Sequence, residues 1–271
     1  MSSEPSDPLQ GRLEFAVEIA RQAGQQTLSL FGSAGLKVDC KADGSPVTVA
    51  DQQAEQLLRE RIGEQFPKDA ILGEEYGESP GTSGFRWVLD PIDGTKSFVT
   101  GVPLYTTLVA VLQDETPQIG VIFAPAAAEM VYAGRGLGCW HIAAEQQPTR
   151  ASVSEVSELS EAVLLTSSVR EFSTARETNG RPFYDRLESV CRMTRTWGDA
   201  FGYLLVATGR AEIMIDPIMN LWDAAALQPV IEEAGGRFFD WKGTPTVHSG
   251  ESIATNGQLV EQVLAQLRGE P

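Results

Sequence analysis

The chain has 271 residues, with 37 acidic and 21 basic side chains and a formal net charge of −16. That length allows one large domain or two small ones around a sizeable core. Such an excess of acid argues against a nucleic-acid partner, whose phosphates need a basic face, and no apolar run approaches the roughly 18 residues of a membrane span.

In chain order, Met1 to Asp7 is polar and lacks the basic and apolar regions of a signal peptide. Asp7 and Pro8 can cap a long helix with an apolar stripe of Leu9, Leu13, Val17, Ala20, Leu28 and Phe31, ended by Gly32 to Gly35. The spacing predicts a second helix over about 48–65, showing Ala54, Leu57, Leu58 and Ile62, with Asp51 near its start. Two short apolar strands follow. Residues 70–72 run into Gly73 and Glu74, and residues 85–89 run into Asp90 and a tight bend. After a short helix come strand-like runs at 104–112, 118–124 and 130–133, separated by turn residues in a meander.

Residues 144–160, rich in Glu, Gln and Ser, are expected to link two αβ halves of one catalytic unit, 1–145 and 146–271. The second half alternates strands near 162–166, 193–195, 211–215, 237–239 and 253–254 with helices near 182–191, 200–208, after Asp223, and 257–267. Asp199 stands where it would cap the helix beginning at 200. Sheet and helix layers in alternation suit an α+β or layered α/β protein.

The chemistry concentrates at Asp90-Pro91-Ile92-Asp93-Gly94-Thr95. Two carboxylates sit three residues apart at a strand end, with Pro91 stiffening the chain between them. Gly94 and Thr95 then open a helix, where backbone N–H groups favour an anion such as phosphate. An Asp-Gly-Thr turn is by itself a common capping element. Glu74, Asp51 and Asp223, each beside a strand end or a helix start, shift the balance toward metal-assisted phosphate chemistry. Without a cation, clustered carboxylates repel and their pKa values rise. Hard oxygen ligands without histidine or thiolate suit Mg²⁺.

His141 and His248 are the only histidines, so neither a histidine nucleophile nor a histidine-rich metal site is expected. Cys40, Cys139 and Cys191 are widely spaced and lack CxxC spacing, which points to buried thiols in a reducing cytoplasm.

The segments GEE at 73–75, WVLDPIDGT at 87–95, WDAAA at 222–226 and EEAGG at 232–236 resemble, in order and spacing, the inositol monophosphatase superfamily of magnesium-dependent, lithium-sensitive phosphatases. The resemblance runs from the first helix to Asn256. TKSF at 95–98 and TRTWGDAFGY at 194–203 look most like its histidinol-phosphate phosphatase branch. The resemblance implies an α+β fold, a five-layer αβαβα sandwich. It also implies two or three Mg²⁺ ions. Glu74, Asp90 and the carbonyl of Ile92 would hold the first, with Asp90 bridging to a second completed by Asp93 and Asp223. Thr95, hydrogen-bonded to Asp51, would with Glu74 orient the attacking water, and the N–H groups of Gly94 and Thr95 would grip phosphate.

Asp199, Asp216 and Asn220 would meet the alcohol part of the substrate, and acids there suit the amine and imidazole of histidinol phosphate better than the hydroxyls of inositol phosphate. Trp197 is read either as core or as a stacking partner for imidazole. Lys96 and Ser97 replace the Asn-containing pair of many inositol monophosphatases, and KSF at 96–98 differs from the KEF of nucleotide 3′-phosphatases. Inositol 1-phosphate and 3′-phosphoadenosine phosphate are the alternative substrates. The haloacid dehalogenase plan fits less well, because its two aspartates are two residues apart, not three. A non-catalytic metal-binding scaffold would lack a ligand, and none of Glu74, Asp90, Asp93, Thr95 or Asp223 is missing. The expected partner is a small-molecule phosphate monoester, with no nucleic acid and no membrane, acted on by a cytoplasmic homodimer.

Overall fold

The computed structural model describes residues 8–33, 37–40, 46–144, 146–174 and 179–270. Helix α1 (Pro8–Leu28) buries Leu13, Ala16, Ala20, Ala23 and Thr27, at the three- and four-residue steps that share one helix face. Leu28, expected on that stripe, is exposed, because it lies one residue, about 100°, round the helix from Thr27. Phe31 lies past the helix, its ring against Phe98 and Tyr105. The expected Asp7 cap and the Gly35 stop fall outside the described residues.

Strands β1 (Val38–Cys40) and β2 (Pro46–Thr48) pair and lead into α2 (Val49–Gln65). Thr48 starts α2 with a capping box: its hydroxyl accepts the Ala50 N–H, and the Asp51 carboxylate accepts the Thr48 N–H. Then follow β3 (Ala70–Gly73), β4 (Gly77–Ser79), β5 (Phe85–Asp93), the short α3 (Thr95–Thr100), β6 (Thr106–Gln113), β7 (Thr116–Ala124), β8 (Glu129–Gly134), β9 (Gly138–Ala143) and β10 (Thr149–Arg150). They form an eight-stranded sheet ordered β10-β9-β8-β7-β6-β5-β3-β4, antiparallel except between β3 and β5. The meander is longer than expected: β9 and β10 extend it, and β10 lies inside the stretch read as linker.

The remainder runs β11 (Val163–Leu165), α4 (Glu171–Thr174), α5 (Arg181–Val190), β12 (Met193–Arg195), α6 (Ala200–Ala207), β13 (Ile213–Asp216), α7 (Leu221–Ala224), α8 (Leu227–Glu233), β14 (Arg237–Phe239), β15 (Ser252–Thr255) and α9 (Val260–Arg268). Its five strands order β12-β11-β13-β15-β14. The single helix expected after Asp223 is two, α7 and α8, and Asp223 is the third residue of α7.

Strand alternation builds the layers. Trp87, Leu89, Val109, Val111 and Val121 point to one face of the large sheet and pack on α1 and α2. Val88, Leu108, Ala110 and Ile122 point to the other and pack on α6 and α8, where Met214, Phe238 and Ala254 of the second sheet join the same core. Ile213, Ile215, Phe239 and Ile253 face outward onto α5 and α9. The result is the expected αβαβα sandwich, with α6, α7 and α8 between the sheets.

Candidate active site

Positions three apart on a regular strand point to opposite faces, so Asp90 and Asp93 would diverge if β5 were regular. It is not. Asp90 pairs with Leu108 and Asp93 with Thr106, three steps on β5 against two on β6. The extra residue is a β-bulge, placed at Pro91 and Ile92, where proline has no N–H to lose from the ladder. Thr107 Oγ1 donates to the Pro91 carbonyl (2.9 Å), and the Ile92 N–H donates to Asp90 Oδ1 (3.1 Å), which hold the bulge in place.

The bulge turns both carboxylates to one side, and α7 brings Asp223 to them. Ligand oxygens of Asp90, Asp93 and Asp223 lie within 4.8 Å of one another. Asp93 accepts from Thr106 Oγ1 (2.9 Å) and from the Ala200 N–H (2.6 Å), tying β5 to the first residue of α6. Glu74, in the turn after β3, hydrogen-bonds Asp90 but stands outside that tightest group. Its N–H donates to the Leu89 carbonyl of β5 (3.2 Å).

Burial first, then the charges of Glu74, Asp93 and Asp223, push the Asp90 carboxyl well above the usual range. Burial, then Asp199 and Asp223, do the same to Asp93. Asp223 rises to about 7, mainly through burial, against the opposing bond from the Asn220 N–H. This cluster of hard oxygens carries mutual repulsion that a divalent cation would relieve, so the donor set fits a metal ion.

Two expected contacts take other partners. Thr95 Oγ1 donates to the Ile92 carbonyl (3.1 Å), not to Asp51. As the third residue of α2, Asp51 folds its carboxylate back on the helix start, accepting from Thr48 N–H (2.7 Å) and Oγ1 (2.6 Å). Asn220 lines the cleft but caps α7, giving both its N–H (2.6 Å) and its side-chain amide (3.2 Å) to Asp223 Oδ2.

The cleft over the cluster measures about 260 Å³ and is lined by Glu74, Asp90, Asp93, Gly94, Thr95 and Asp223 together with Asp199, Asp216 and Asn220. Asp199 holds the N-cap position of α6 yet makes no side-chain cap bond. Its carboxylate bonds Ser167 instead and lies beside Gly94, where a Cβ would come 2.9 Å from Oδ2. Gly94 has φ +83°, so glycine meets both the turn and the close approach. Asp216 ends β13, accepting from the Ser167 N–H (3.0 Å) and the Tyr203 hydroxyl (3.0 Å), and burial lifts its carboxyl to about 7.

Ser167, Glu171 and Tyr203 also line the cleft and escaped the reading from sequence. The first two follow the end of β11, the same strand-end signal that marks Asp90. Lys96 Nζ meets Glu171 Oε1 at 3.4 Å, with the lysine side chain 77% exposed. Trp197 is exposed and outside the cleft lining, neither core nor stacking partner in this arrangement. His141 pairs with Glu129 (2.6 Å), and His248 Nε2 meets the Glu115 carbonyl (3.2 Å), both away from the cluster. Among the described residues no helix is long and apolar enough to cross a membrane.

The model of the inositol monophosphatase family matches residues 9–270. The sequence is 40% identical to the histidinol-phosphatase of Chlorobaculum parvum, across 94% of this chain and 96% of that protein. It is 41% identical to the histidinol-phosphatase of Mycobacterium tuberculosis, across 94% and 97%. Among solved structures, an IMPase from Thermotoga maritima superposes with a TM-score of 0.84 at 29% identity, covering 96% of this chain and 97% of that one.

Proposed function

The chain belongs to the inositol monophosphatase family and is a phosphoric monoester hydrolase, and we propose that it cleaves L-histidinol phosphate to L-histidinol and phosphate with Mg²⁺ as its metal. The observation that carries the substrate is the end-to-end similarity to two histidinol-phosphatases, at 40% and 41% identity. The cleft supports it. Beyond the metal cluster its lining includes Asp199, Asp216 and Glu171, which suit a cationic alcohol better than a polyol.

Glu74, Asp90, Asp93, Asp223 and the Ile92 carbonyl would hold two or three ions. Bound there, Mg²⁺ would lower the pKa of water and neutralise charge on the phosphoryl group. Thr95 Oγ1, anchored on Ile92, keeps acceptor capacity with which to orient the attacking water. At the start of α3 the N–H groups of Gly94 and Thr95 lie outside the helical ladder and would receive the phosphate oxygens. Asp51 supports the site through Thr48 and the start of α2, and its own carboxyl is raised by burial. Of the three cysteines expected to be buried only Cys139 is, with Cys191 part-buried and Cys40 exposed, and the free thiols suit a reducing, cytoplasmic setting.

A phosphate-release screen against L-histidinol phosphate, inositol 1-phosphate, 3′-phosphoadenosine phosphate and fructose bisphosphate tests the substrate. Histidinol phosphate should show the highest kcat/KM, and a better rate on inositol phosphate would overturn the branch while leaving the phosphatase. Chelation should abolish turnover, with Mg²⁺ restoring it. Asp93→Asn and Glu74→Gln, which keep size and remove ligand charge, should each lower kcat by orders of magnitude. Folded variants within about threefold of wild type, under 1 kcal/mol of barrier, would refute the site.

A further inference from the structure

We infer that Glu55, which does not line the cleft, is a positioning residue for the turn that carries Glu74. The inference rests on the proposed role of Glu74 as a metal ligand.

Helix α2 presents two acids one turn apart on its buried side, Asp51 and Glu55. Glu55 is fully buried. Its Oε2 accepts the Glu75 N–H at 2.7 Å, and its Oε1 accepts the Tyr76 N–H at 3.2 Å and Arg59 Nε at 2.7 Å. Arg59 continues the contact by donating to Ser79 Oγ at 3.1 Å and to the Gly77 carbonyl. The carboxylate and guanidinium together bind the turn and strand β4 to α2.

Gly73 shows how closely the carboxylate approaches. Any Cβ at that position would run into the carboxyl group of Glu55 and push it off its hydrogen bonds, so glycine there suits the close approach, not a special backbone angle. Glu74 is therefore flanked by a residue in van der Waals contact with Glu55 and by two residues donating to it. A buried charged pair is a poor way to gain stability, since well-packed apolar side chains of similar volume often serve as well or better. It is a good way to fix geometry, which Mg²⁺ demands because it tolerates little departure from octahedral coordination.

A double-mutant cycle on the full-length chain, read as the Kd of Mg²⁺ by calorimetry without substrate, tests this. Glu55→Gln keeps the shape and loses the charge. It should weaken Mg²⁺ about tenfold, the lower end of the effect of removing an outer partner of a ligand. In a Glu74→Gln background the same change should have less than about a twofold effect, since there is no longer a ligand to position. Arg59→Lys keeps the charge but loses the fork to Ser79 and Gly77, and should weaken Mg²⁺ in the same direction if Glu55→Gln does not fold.

Equal weakening in both backgrounds would assign Glu55 a general structural or electrostatic effect and overturn the inference alone. No weakening in the wild-type background overturns it too. A Glu74→Gln chain that binds Mg²⁺ as tightly as wild type overturns the Glu74 assignment itself, and the positioning role with it.

Discussion

Asn220 and Asp223 are locked together: the backbone N–H and the side-chain amide of Asn220 both donate to Asp223 Oδ2, at 2.6 and 3.2 Å. One residue thus starts α7 and aims the carboxylate that α7 brings to Asp90 and Asp93. The amide expected to touch substrate also braces the carboxylate cluster, while Asn220 still lines the cleft.

Asn220→Ala removes the amide and leaves the backbone bond. It should cost about 1 kcal/mol of stability as a lost cap and raise the Mg²⁺ concentration for half-maximal activity about tenfold. The preference for histidinol phosphate over p-nitrophenyl phosphate should stay where it was. A shift in that preference at unchanged Mg²⁺ dependence would return Asn220 to the substrate.

Asp216 makes the metal-free protein sensitive to pH. Its carboxyl titrates at about 7 in the fold against an ordinary value of 3.8, through burial. Between those values the native state holds a proton that the unfolded chain has released, so its contribution to stability is full below the lower value. That contribution is lost as pH rises through about 7. Asp216→Asn mimics the protonated group and removes this share of the loss. Thermal melts in chelator from about pH 5 to about pH 9 should show a shallower decline for the variant. Parallel curves for variant and wild type would show that Asp216 does not carry the proton.

Much of this site is legible in the sequence, because its motifs mark strand ends and helix starts, and side chains there face one cleft. What is not legible is the bulge. The three-residue spacing of Asp90 and Asp93 reads as a bend after a strand, whereas β5 continues to Asp93 and the extra residue against β6 makes the carboxylates converge. Asp199 shows the opposite failure. The capping position is correct, but the Asp199 carboxylate turns to Ser167 and the Ala200 N–H goes to Asp93 instead, a choice made by tertiary neighbours that no local pattern records. Glu55 and Arg59 are visible as charges near the buried stripe of α2. Their partners lie in β4 and the turn before it, a short segment without apolar alternation and so without a signal.

Substrate choice should lie with Asp199 and Glu171. Asp199 is buried beside Gly94, with its own carboxyl raised chiefly by burial, and bonds Ser167. Glu171 meets Lys96 at 3.4 Å across an exposed pair, a contact of the kind worth little in water and easily exchanged. Histidinol phosphate carries the complementary charges on one molecule: its phosphate can take Lys96 and its ammonium can take Glu171. Glu171→Gln should therefore lower kcat/KM for L-histidinol phosphate relative to p-nitrophenyl phosphate by about tenfold, within the 1–3 kcal/mol of a hydrogen bond to a charged group. Asp199→Asn should shift the ratio in the same direction, and should also change kcat, because its charge presses directly on Asp93. Steady-state kinetics on both esters measure the ratio. If each variant loses the two substrates in equal proportion, these acids shape the cleft without selecting what enters it, and the discrimination against phosphate esters of uncharged alcohols must come from elsewhere on the chain.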